Sequence, residues 1–332
     1  MKKIIFTLLF ASSIILTAQE KEEKTFTLSG SVDTYFRGNI SGGNFDTAPG
    51  SSFANQPGFA LGMINLVAGY EGEKVGFVAD LVFGPRGTDA IFASPMYSAT
   101  GNIVNQLYAY WNVSDNVTLT MGNFNTFLGY EVISPAGNFN YSTSYLFSSG
   151  PFSHVGLKAD FALGEDFSLM LAVMNPTDTN NNTTGDYGFG AQLGYSGQYL
   201  NLYYDNDSVL GFEIDYTGGF DLSDSFFLGI NGAYQVSDDA GFYGAALYPQ
   251  LTTSDSFSIG LRGELFGLHA KDVDDLPSVF ATTLTGSYTV ENLTIKPEVR
   301  LDSWSNDEPY VDADGVAAKG LAAFTVAAIY SF

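Results

Sequence analysis

The sequence contains no cysteine, only 2 histidines and only 13 lysines and arginines among its 332 residues. Without cysteine the chain has no disulfide framework, no thiol catalysis and no cysteine-ligated metal. Two histidines argue against a histidine-rich catalytic or metal centre. The 36 aspartates and glutamates leave a formal net charge of −23. That charge argues against nucleic-acid binding, which requires a basic surface to neutralise phosphates.

Charged residues are scarce overall, at 15% against about a quarter in typical soluble domains. Aromatic residues make up another 15%, and there are 37 glycines. This composition is typical of a β-protein in which one face of each strand lies against an apolar environment.

The N-terminus has a short basic start, Met1-Lys2-Lys3, followed by an apolar run from Ile4 to Ala18. This run is shorter than the roughly 20 residues that a transmembrane helix needs. It predicts a secretory signal peptide over residues 1–18 and a mature chain of residues 19–332. The alternative is an N-terminal membrane anchor. After Ala18 no apolar run is long enough to cross a membrane as a helix.

Apolar and polar residues alternate along most of the remaining chain, which predicts β-strands with one apolar face. Clear examples are the stretches 26–36, 75–83, 155–163, 257–265 and 293–301. A soluble β-sandwich shows the same alternation with its apolar face inside. The lengths of the connections distinguish this soluble architecture from a membrane β-barrel.

Short and long connections alternate along the chain. Seven short polar turns lie near Gly72, Asp115, Glu165, Gly197, Ser223, Ser254 and Asn292. Longer stretches separate them, at 38–58, 84–103, 124–153, 176–186, 267–277 and 304–319, with two short hairpins near Asp205 and Ser237. Outer-membrane barrels have short periplasmic turns and long external loops. Seven short turns with both termini at the same end correspond to 16 strands.

Aromatic residues near strand ends and at the C-terminus favour the same architecture. The chain ends in Phe332, after a strand that carries Phe324, Val326, Ala328 and Tyr330 on one face. Barrels carry aromatic girdles at both membrane interfaces, whereas ordinary core aromatics are the alternative. The girdle candidates are Tyr70, Phe83, Trp111, Phe167, Tyr195, Tyr199, Phe220, Phe226, Tyr288 and Trp304.

Charged residues occupy strand positions opposite the apolar face. In a soluble sandwich they would face bulk water, but in a membrane barrel they must face the lumen, because a charge in lipid costs a few kcal/mol. Such a wall can tune selectivity through the charges it presents. The lumen-lining candidates are Lys158, Asp160, Arg262, Glu264, Lys296, Glu298 and Arg300.

The stretch 124–153 breaks the alternation and is rich in aromatic residues but nearly uncharged. Loops this long are usually functional. We expect it to fold inwards and constrict the channel; the alternative is an outward loop covered by its neighbours or a partner. Glu131 either biases passage towards cations or accepts hydrogen bonds from loop amides. The constriction candidates are Phe124, Phe127, Tyr130, Glu131, Tyr141 and Tyr145.

A block of motifs in and after this stretch is similar to a known family. The motifs are Gly122-Asn123-Phe124-Asn125-Thr126, Gly129-Tyr130-Glu131, Tyr141-Ser142-Thr143-Ser144-Tyr145-Leu146-Phe147 and Gly150-Pro151-Phe152-Ser153-His154-Val155-Gly156. They resemble the OmpL-like β-barrel porins of Gram-negative bacteria, especially those of the Bacteroidetes. The resemblance implies a porin-like role in the outer membrane.

Other candidate sites have weak support. Ser153 and His154 are adjacent, so on a strand they point to opposite faces and form no triad. Asp312-Ala313-Asp314-Gly315 resembles the opening of a calcium loop, but the remaining ligands are missing, and a solvated loop is the simpler interpretation. No glycine-rich nucleotide loop is present. We therefore expect no catalytic residues, metal or cofactor.

The sequence thus predicts an all-β fold, a transmembrane antiparallel up-and-down barrel of about 16 strands with an inward-folded loop. Its predicted function is a porin for passive diffusion of small hydrophilic solutes or ions, surrounded by outer-membrane lipid and capable of forming a homo-oligomer. Three alternatives remain open: a closed surface barrel for adhesion or complex assembly, a barrel enzyme, and a secreted soluble β-protein.

Overall fold

The computed structural model describes residues 25–49, 53–91, 103–206, 210–312 and 314–332. The predicted signal peptide, residues 1–18, lies outside the described residues. In the described part, 16 strands form one closed barrel. The fold predicted from alternation and turn spacing is confirmed.

The first eight barrel strands are β1 (Thr25–Ser41), β2 (Gly58–Glu71), β3 (Val75–Phe83), β4 (Val104–Ser114), β5 (Val117–Asn125), β6 (Ser153–Ala162), β7 (Phe167–Met174) and β8 (Gly188–Tyr195). The next seven are β9 (Gln198–Tyr204), β10 (Phe212–Ser223), β11 (Phe226–Ser237), β12 (Ala240–Ser254), β13 (Phe257–Ala270), β14 (Ser278–Val290) and β15 (Leu293–Ser305). A separate two-stranded hairpin, β16 (Tyr310–Val311) and β17 (Ala317–Ala318), precedes the last barrel strand, β18 (Gly320–Ser331). The helices are α1 (Pro85–Ile91) and α2 (Tyr145–Ser149).

Each barrel strand pairs antiparallel with its neighbours, and β1 pairs with β18 to close the ring. In that closing pair Val32 lies opposite Tyr330 and Tyr35 lies opposite Ala327. Closure leaves no strand edge among these pairs, which is what a sheet in lipid requires.

The seven short turns predicted from the sequence lie at the barrel end that holds Thr25 and Phe332. One of them, at Ser196-Gly197, has positive φ at both residues, 47° and 78°, as a two-residue hairpin turn requires. The long connections lie at the other end; they include 126–152 and the described parts of 42–57 and 306–319. The short hairpins near Asp205 and Ser237 also lie at the long-loop end, as the alternation of turn sides predicts.

The outer face of the barrel is apolar. Leu157, Ile259 and Leu261 are exposed, and the alternating pattern places Val155, Phe161, Ile295 and Val299 on the same face. Several aromatic side chains near the turn end are exposed as well, and Phe167 packs against Tyr195 with ring centroids 4.5 Å apart. This surface is suited to contact with lipid acyl chains and headgroups.

The prediction that Trp304 belongs to the outer aromatic girdle is wrong, because its side chain lies on the inner face of the barrel. It shares the inner face of β15 with Asp302, and its indole Nε1 donates to the hydroxyl of Tyr310 at 3.2 Å. Its ring meets Tyr145 edge-on at 5.6 Å. The strand-end position alone does not distinguish the two faces, whereas the alternation along β15 does.

No helix among the described residues is long and apolar enough to span a membrane.

Candidate functional site

The connection between β5 and β6, residues 126–152, folds into the barrel; we call it the inner segment. Its residues contact strands that lie far apart around the ring. The Gly129 amide donates to Asp215 of β10 at 3.0 Å, and the Asn140 side chain donates to Thr285 of β14 at 2.7 Å. The Tyr141 hydroxyl donates to Asp33 of β1 at 2.5 Å. Only a segment enclosed by the barrel can reach all these strands, so the predicted inward fold is confirmed.

Local hydrogen bonds shape the inner segment. Asn138 accepts from the Val132 amide at 2.9 Å and donates to the Val132 carbonyl at 2.6 Å, which closes a loop between these residues. Ser144 is the N-cap of α2, where its hydroxyl accepts from the Phe147 amide at 3.0 Å. Gly129 adopts a φ of +83°, a conformation that favours glycine.

The aromatic constriction candidates pack on the wall. Tyr130 stacks on Tyr248 of β12 with ring centroids 4.3 Å apart, and Tyr145 stacks on Phe266 of β13 at 5.7 Å. Phe127, Tyr141 and Tyr145 of the segment are buried; Phe124 is also buried, but it lies in β5 and not in the segment. Burying a large apolar side chain contributes about 1.5–3 kcal/mol, so these rings hold the segment inside the barrel.

The sixth constriction candidate, Glu131, is also buried. One carboxylate oxygen lies 2.7 Å from Nη1 of Arg262 on β13. The other accepts from the Ser144 amide at 2.7 Å and from its hydroxyl at 3.1 Å. Glu131 therefore accepts a loop amide, and its negative charge is paired with a wall arginine.

The basic lumen-lining candidates of β13 and β15 donate to carbonyls of the inner segment. Arg262 donates to the Ser142 carbonyl at 2.6 Å and to the Thr143 carbonyl at 3.1 Å. Arg300 donates to the same Thr143 carbonyl at 2.5 Å, and Lys296 donates to the Pro135 carbonyl at 3.1 Å.

The acidic candidates of the same strands accept from amides of the segment. Glu264 accepts from the Tyr145 and Leu146 amides at 3.0 and 2.8 Å. Glu298 accepts from the Tyr141 and Ser142 amides at 2.8 and 3.1 Å. All five candidates on β13 and β15 lie on the inner face, but each is at most 4% exposed because the segment covers it.

Lys158 and Asp160 on β6 are different, because they stay open to water. They form an ion pair at 2.9 Å, with side chains 26% and 41% exposed. Tyr108 of β4 and Gln192 of β8, on neighbouring parts of the wall, are also partly exposed. Of the seven lumen-lining candidates, five are therefore covered by the inner segment, and two, Lys158 and Asp160, are partly exposed to water.

Arg86 of α1 is an important residue that the sequence did not reveal. Its Nε donates to the Ile133 carbonyl at 3.0 Å, and its Nη atoms donate to the Tyr141 carbonyl at 3.2 and 3.3 Å. Its guanidinium lies 5.2 Å from the ring centroids of both Phe53 and Tyr141. A single arginine in a long connection between two strands has no sequence pattern that would have identified this role.

Asp178, in the connection between β7 and β8, fixes the C-terminal end of the inner segment. Its Oδ1 accepts from the Phe152 and Ser153 amides at 2.9 and 2.8 Å. Burial raises the pKa of the Asp178 carboxyl to about 6, although these two hydrogen bonds oppose the shift.

The described residues hold no group of three or more histidines, cysteines or carboxylates that could bind a metal. His154 is buried against Tyr203 at 5.4 Å between ring centroids, and its Nε2 lies 2.9 Å from the Thr126 hydroxyl. In the outer loop, Asp312 accepts from the Asp314 and Val316 amides at 2.9 Å. Both residues have structural partners of their own.

A family model described as "Putative beta-barrel porin-2, OmpL-like" matches residues 25–332. No curated protein matches the chain.

Solved structures share the fold at low identity. The outer membrane channel DcaP of Acinetobacter baumannii is 15% identical, with 96% of this chain and 100% of that chain covered and a TM-score of 0.62. An anion-selective porin from Comamonas acidovorans is 11% identical, with 93% and 100% covered and a TM-score of 0.58. The trimer form of OmpT, an outer membrane protein of Vibrio cholerae, is 10% identical, with 94% and 100% covered and a TM-score of 0.56.

Proposed function

The chain belongs to the OmpL-like β-barrel porin family, and we propose that it is a passive diffusion channel for small hydrophilic solutes in the outer membrane of a Gram-negative bacterium. The observation that carries this proposal is the division of the closed barrel into an apolar outer face and a polar inner face. The outer face suits lipid, and the inner face suits water and polar solutes.

The inner segment narrows the passage. Its hydrogen bonds to charged wall side chains are concentrated on β13 and β15, and further contacts reach β1, β8, β10, β12 and β14. We expect solutes to pass beside Tyr108, Lys158 and Asp160, whose side chains keep partial exposure.

Among the charged lumen-lining candidates, Lys158 and Asp160 are the two that are partly exposed. The five charged candidates under the segment are paired or hydrogen-bonded and shielded from water. Lys158 and Asp160 have opposite signs and form an ion pair, so together they present little net charge. We expect weak ion selectivity from this part of the wall.

Single-channel recording in planar bilayers tests the proposal. The wild-type barrel should give stepwise conductance, and deletion of residues 134–149 should raise it because the deleted stretch covers the wall. A barrel that assembles but never conducts would favour the adhesion or assembly role instead. An unchanged conductance after deletion would show that the segment does not limit the pore.

Two further expectations belong to the same proposal. The chain performs no catalysis, which lipid and peptide hydrolysis assays on the purified barrel would check. It also forms a homo-oligomer, in line with the trimer form of one structural neighbour. Analytical ultracentrifugation in detergent would check the oligomer.

A further inference from the structure

Two tyrosines occupy successive inner positions on β4. The neighbours Leu107 and Trp111 are exposed on the outer face, so the alternation directs Tyr108 and Tyr110 into the lumen. Both tyrosines are half-buried, and positions two residues apart on a strand are separated by about 7 Å. We call the wall formed by Tyr108, Tyr110 and Asn112 of β4 with Lys158 and Asp160 of β6 the tyrosine strip.

The strand register brings the members of the strip together. Tyr110 lies opposite Thr120 of β5, which in turn lies opposite Lys158 of β6. The next row places Asn112 and Asp160 on either side of one residue of β5. Neighbouring strands are about 4.8 Å apart, so each row spans roughly 10 Å. One small solute can therefore touch the rings of β4 and the polar groups of β6 at the same time.

A glycine lets the ring of Tyr110 lie against the wall. Gly76 of β3 is paired with Tyr110 in the sheet. A Cβ atom added at Gly76 would lie 2.3 Å from the Tyr110 hydroxyl oxygen and 2.4 Å from its Cζ atom. The ring thus occupies the space that a side chain at position 76 would fill. One side of the ring rests on the sheet, and its exposed part faces the lumen.

Polar groups of the strip keep hydrogen-bonding capacity for a solute. The two tyrosine hydroxyls donate to no other described residue. The side-chain oxygen of Asn112 accepts from the Thr118 hydroxyl at 3.0 Å, which leaves the amide nitrogen of Asn112 for other partners. Lys158 and Asp160 are partly exposed, so their remaining donors and acceptors face water. The strip therefore offers donors and acceptors beside two aromatic rings.

The charges in and around the strip argue against a charged solute. Lys158 and Asp160 form an ion pair, and the buried carboxylate of Asp80 on β3 accepts from three side-chain amides. The end of β2 and the turn after it carry two glutamates and one lysine, all exposed. The carboxylates disfavour anions, and the ammonium of Lys158 disfavours cations. A neutral solute meets neither repulsion.

We propose that the tyrosine strip binds neutral saccharides of two or more sugar units in the lumen. A sugar ring presents apolar C–H groups on its faces and hydroxyls, which both donate and accept, around its edge. The faces match the two tyrosine rings, and the hydroxyls match Asn112 and the ion pair of β6. Two rings in line along β4 suit two successive sugar units. The inference rests on the proposed channel function, because it names a solute class for that pore.

Titration calorimetry on the full barrel tests the proposal. The detergent is zwitterionic, because a detergent with a sugar headgroup would compete for the site. The probes are maltotriose and cellotriose, and the comparison solutes are triglycine, which lacks ring faces, and choline, which is cationic. At least one trisaccharide should bind saturably, about tenfold or more tighter than either comparison solute. Absence of saturable binding by both trisaccharides, or equally tight binding of triglycine or choline, would overturn the proposal.

Variants locate the site. Tyr110→Ala removes one ring and should weaken trisaccharide binding by about tenfold, whereas Tyr110→Phe keeps the ring and should change it by at most about threefold. The matched control is Tyr288→Ala, because Tyr288 is exposed on the outer face of β14 and its loss should leave binding unchanged. Equal effects of Tyr110→Ala and Tyr288→Ala would overturn the proposal. The wild-type titration decides the proposal even if a variant does not assemble.

Calorimetry needs no ion current, so binding and conduction are tested separately. A barrel that binds a trisaccharide but never conducts would refute only the channel function. A barrel that conducts but binds neither trisaccharide would refute only the saccharide site.

Discussion

Arg262 on β13 and Glu131 in the inner segment form an ion pair at 2.7 Å, with both side chains buried inside the barrel. The two residues are far apart in sequence, and their contact fixes the segment against the wall. Arg262 also donates to the Ser142 and Thr143 carbonyls, so the ion pair is part of a larger hydrogen-bond network. A buried pair of this kind is costly to break because the remaining charge loses its directly bonded partner.

The first prediction concerns this ion pair. Glu131→Gln should destabilise the folded barrel by about 3–5 kcal/mol, because Arg262 is left buried without its carboxylate partner. Denaturant unfolding in detergent, followed by loss of the heat-modifiable band on gels, measures the effect. The matched control is Asp160→Asn, which breaks an exposed pair and should cost about 0–1 kcal/mol. Equal losses in the two variants would contradict the prediction.

The barrel itself could be predicted from the sequence because its determinants are local and repetitive. Alternation along stretches such as 257–265 and the short turns near Gly197 and Asn292 specify strands, faces and turn sides without knowledge of distant contacts. The inward position of the inner segment could also be predicted from the sequence, because its many aromatic side chains would be unfavourable in water. The strands and turns depend on periodicity, which a single sequence displays.

The contacts of the segment could not be predicted in the same way. Glu131 meets Arg262 and Arg86 meets the Tyr141 carbonyl across long stretches of chain, and no period links these positions. The sequence placed Arg262, Glu264 and Arg300 on the inner face but could not show that backbone groups of the segment would cover them. That outcome depends on how the segment crosses the lumen, which only tertiary structure specifies.

The second prediction concerns the outer face. Leu261→Arg should impair assembly by about 2–4 kcal/mol if its site lies near the bilayer midplane, because the new charge would face lipid. The matched control, Asp255→Arg, places the same side chain in an exposed turn between β12 and β13 and should assemble normally. Folding yield into vesicles measures both variants. Normal assembly of Leu261→Arg would argue against a lipid-facing wall.

The third prediction is topological. An epitope tag inserted at Gly315, in the long connection before β18, should be accessible on intact cells. A tag at Asp115, in the short turn between β4 and β5, should become accessible only after the outer membrane is permeabilised. Antibody binding to whole and permeabilised cells distinguishes the two. The reverse labelling pattern would invert the barrel in the membrane.

The fourth prediction concerns pH. The pKa of Asp178 is raised to about 6, above the value near 4 of an unfolded aspartate. Between these values the folded state binds more protons than the unfolded state, so the contribution of Asp178 to stability falls as pH rises through this window. Asp178→Asn should remove this dependence while its side-chain oxygen still accepts from Phe152 and Ser153. Denaturant midpoints measured from pH 4 to pH 7 for both proteins should diverge in slope; parallel curves would refute the assignment.

The fifth prediction concerns the open wall of the lumen. Lys158 and Asp160 are the two lumen candidates on that wall with substantial exposure, so their charges should act on passing ions, whereas the charges under the inner segment are shielded. Lys158→Gln should shift the reversal potential in a salt gradient towards cation selectivity, and Asp160→Asn should shift it towards anions. The control is Lys271→Gln, because Lys271 forms an exposed pair with Asp239 at 3.4 Å in the outer connections. High salt should shrink both shifts, since it screens exposed charges. If neither variant moves the reversal potential more than the control does, ions do not pass along β6, and the passage must lie elsewhere in the barrel.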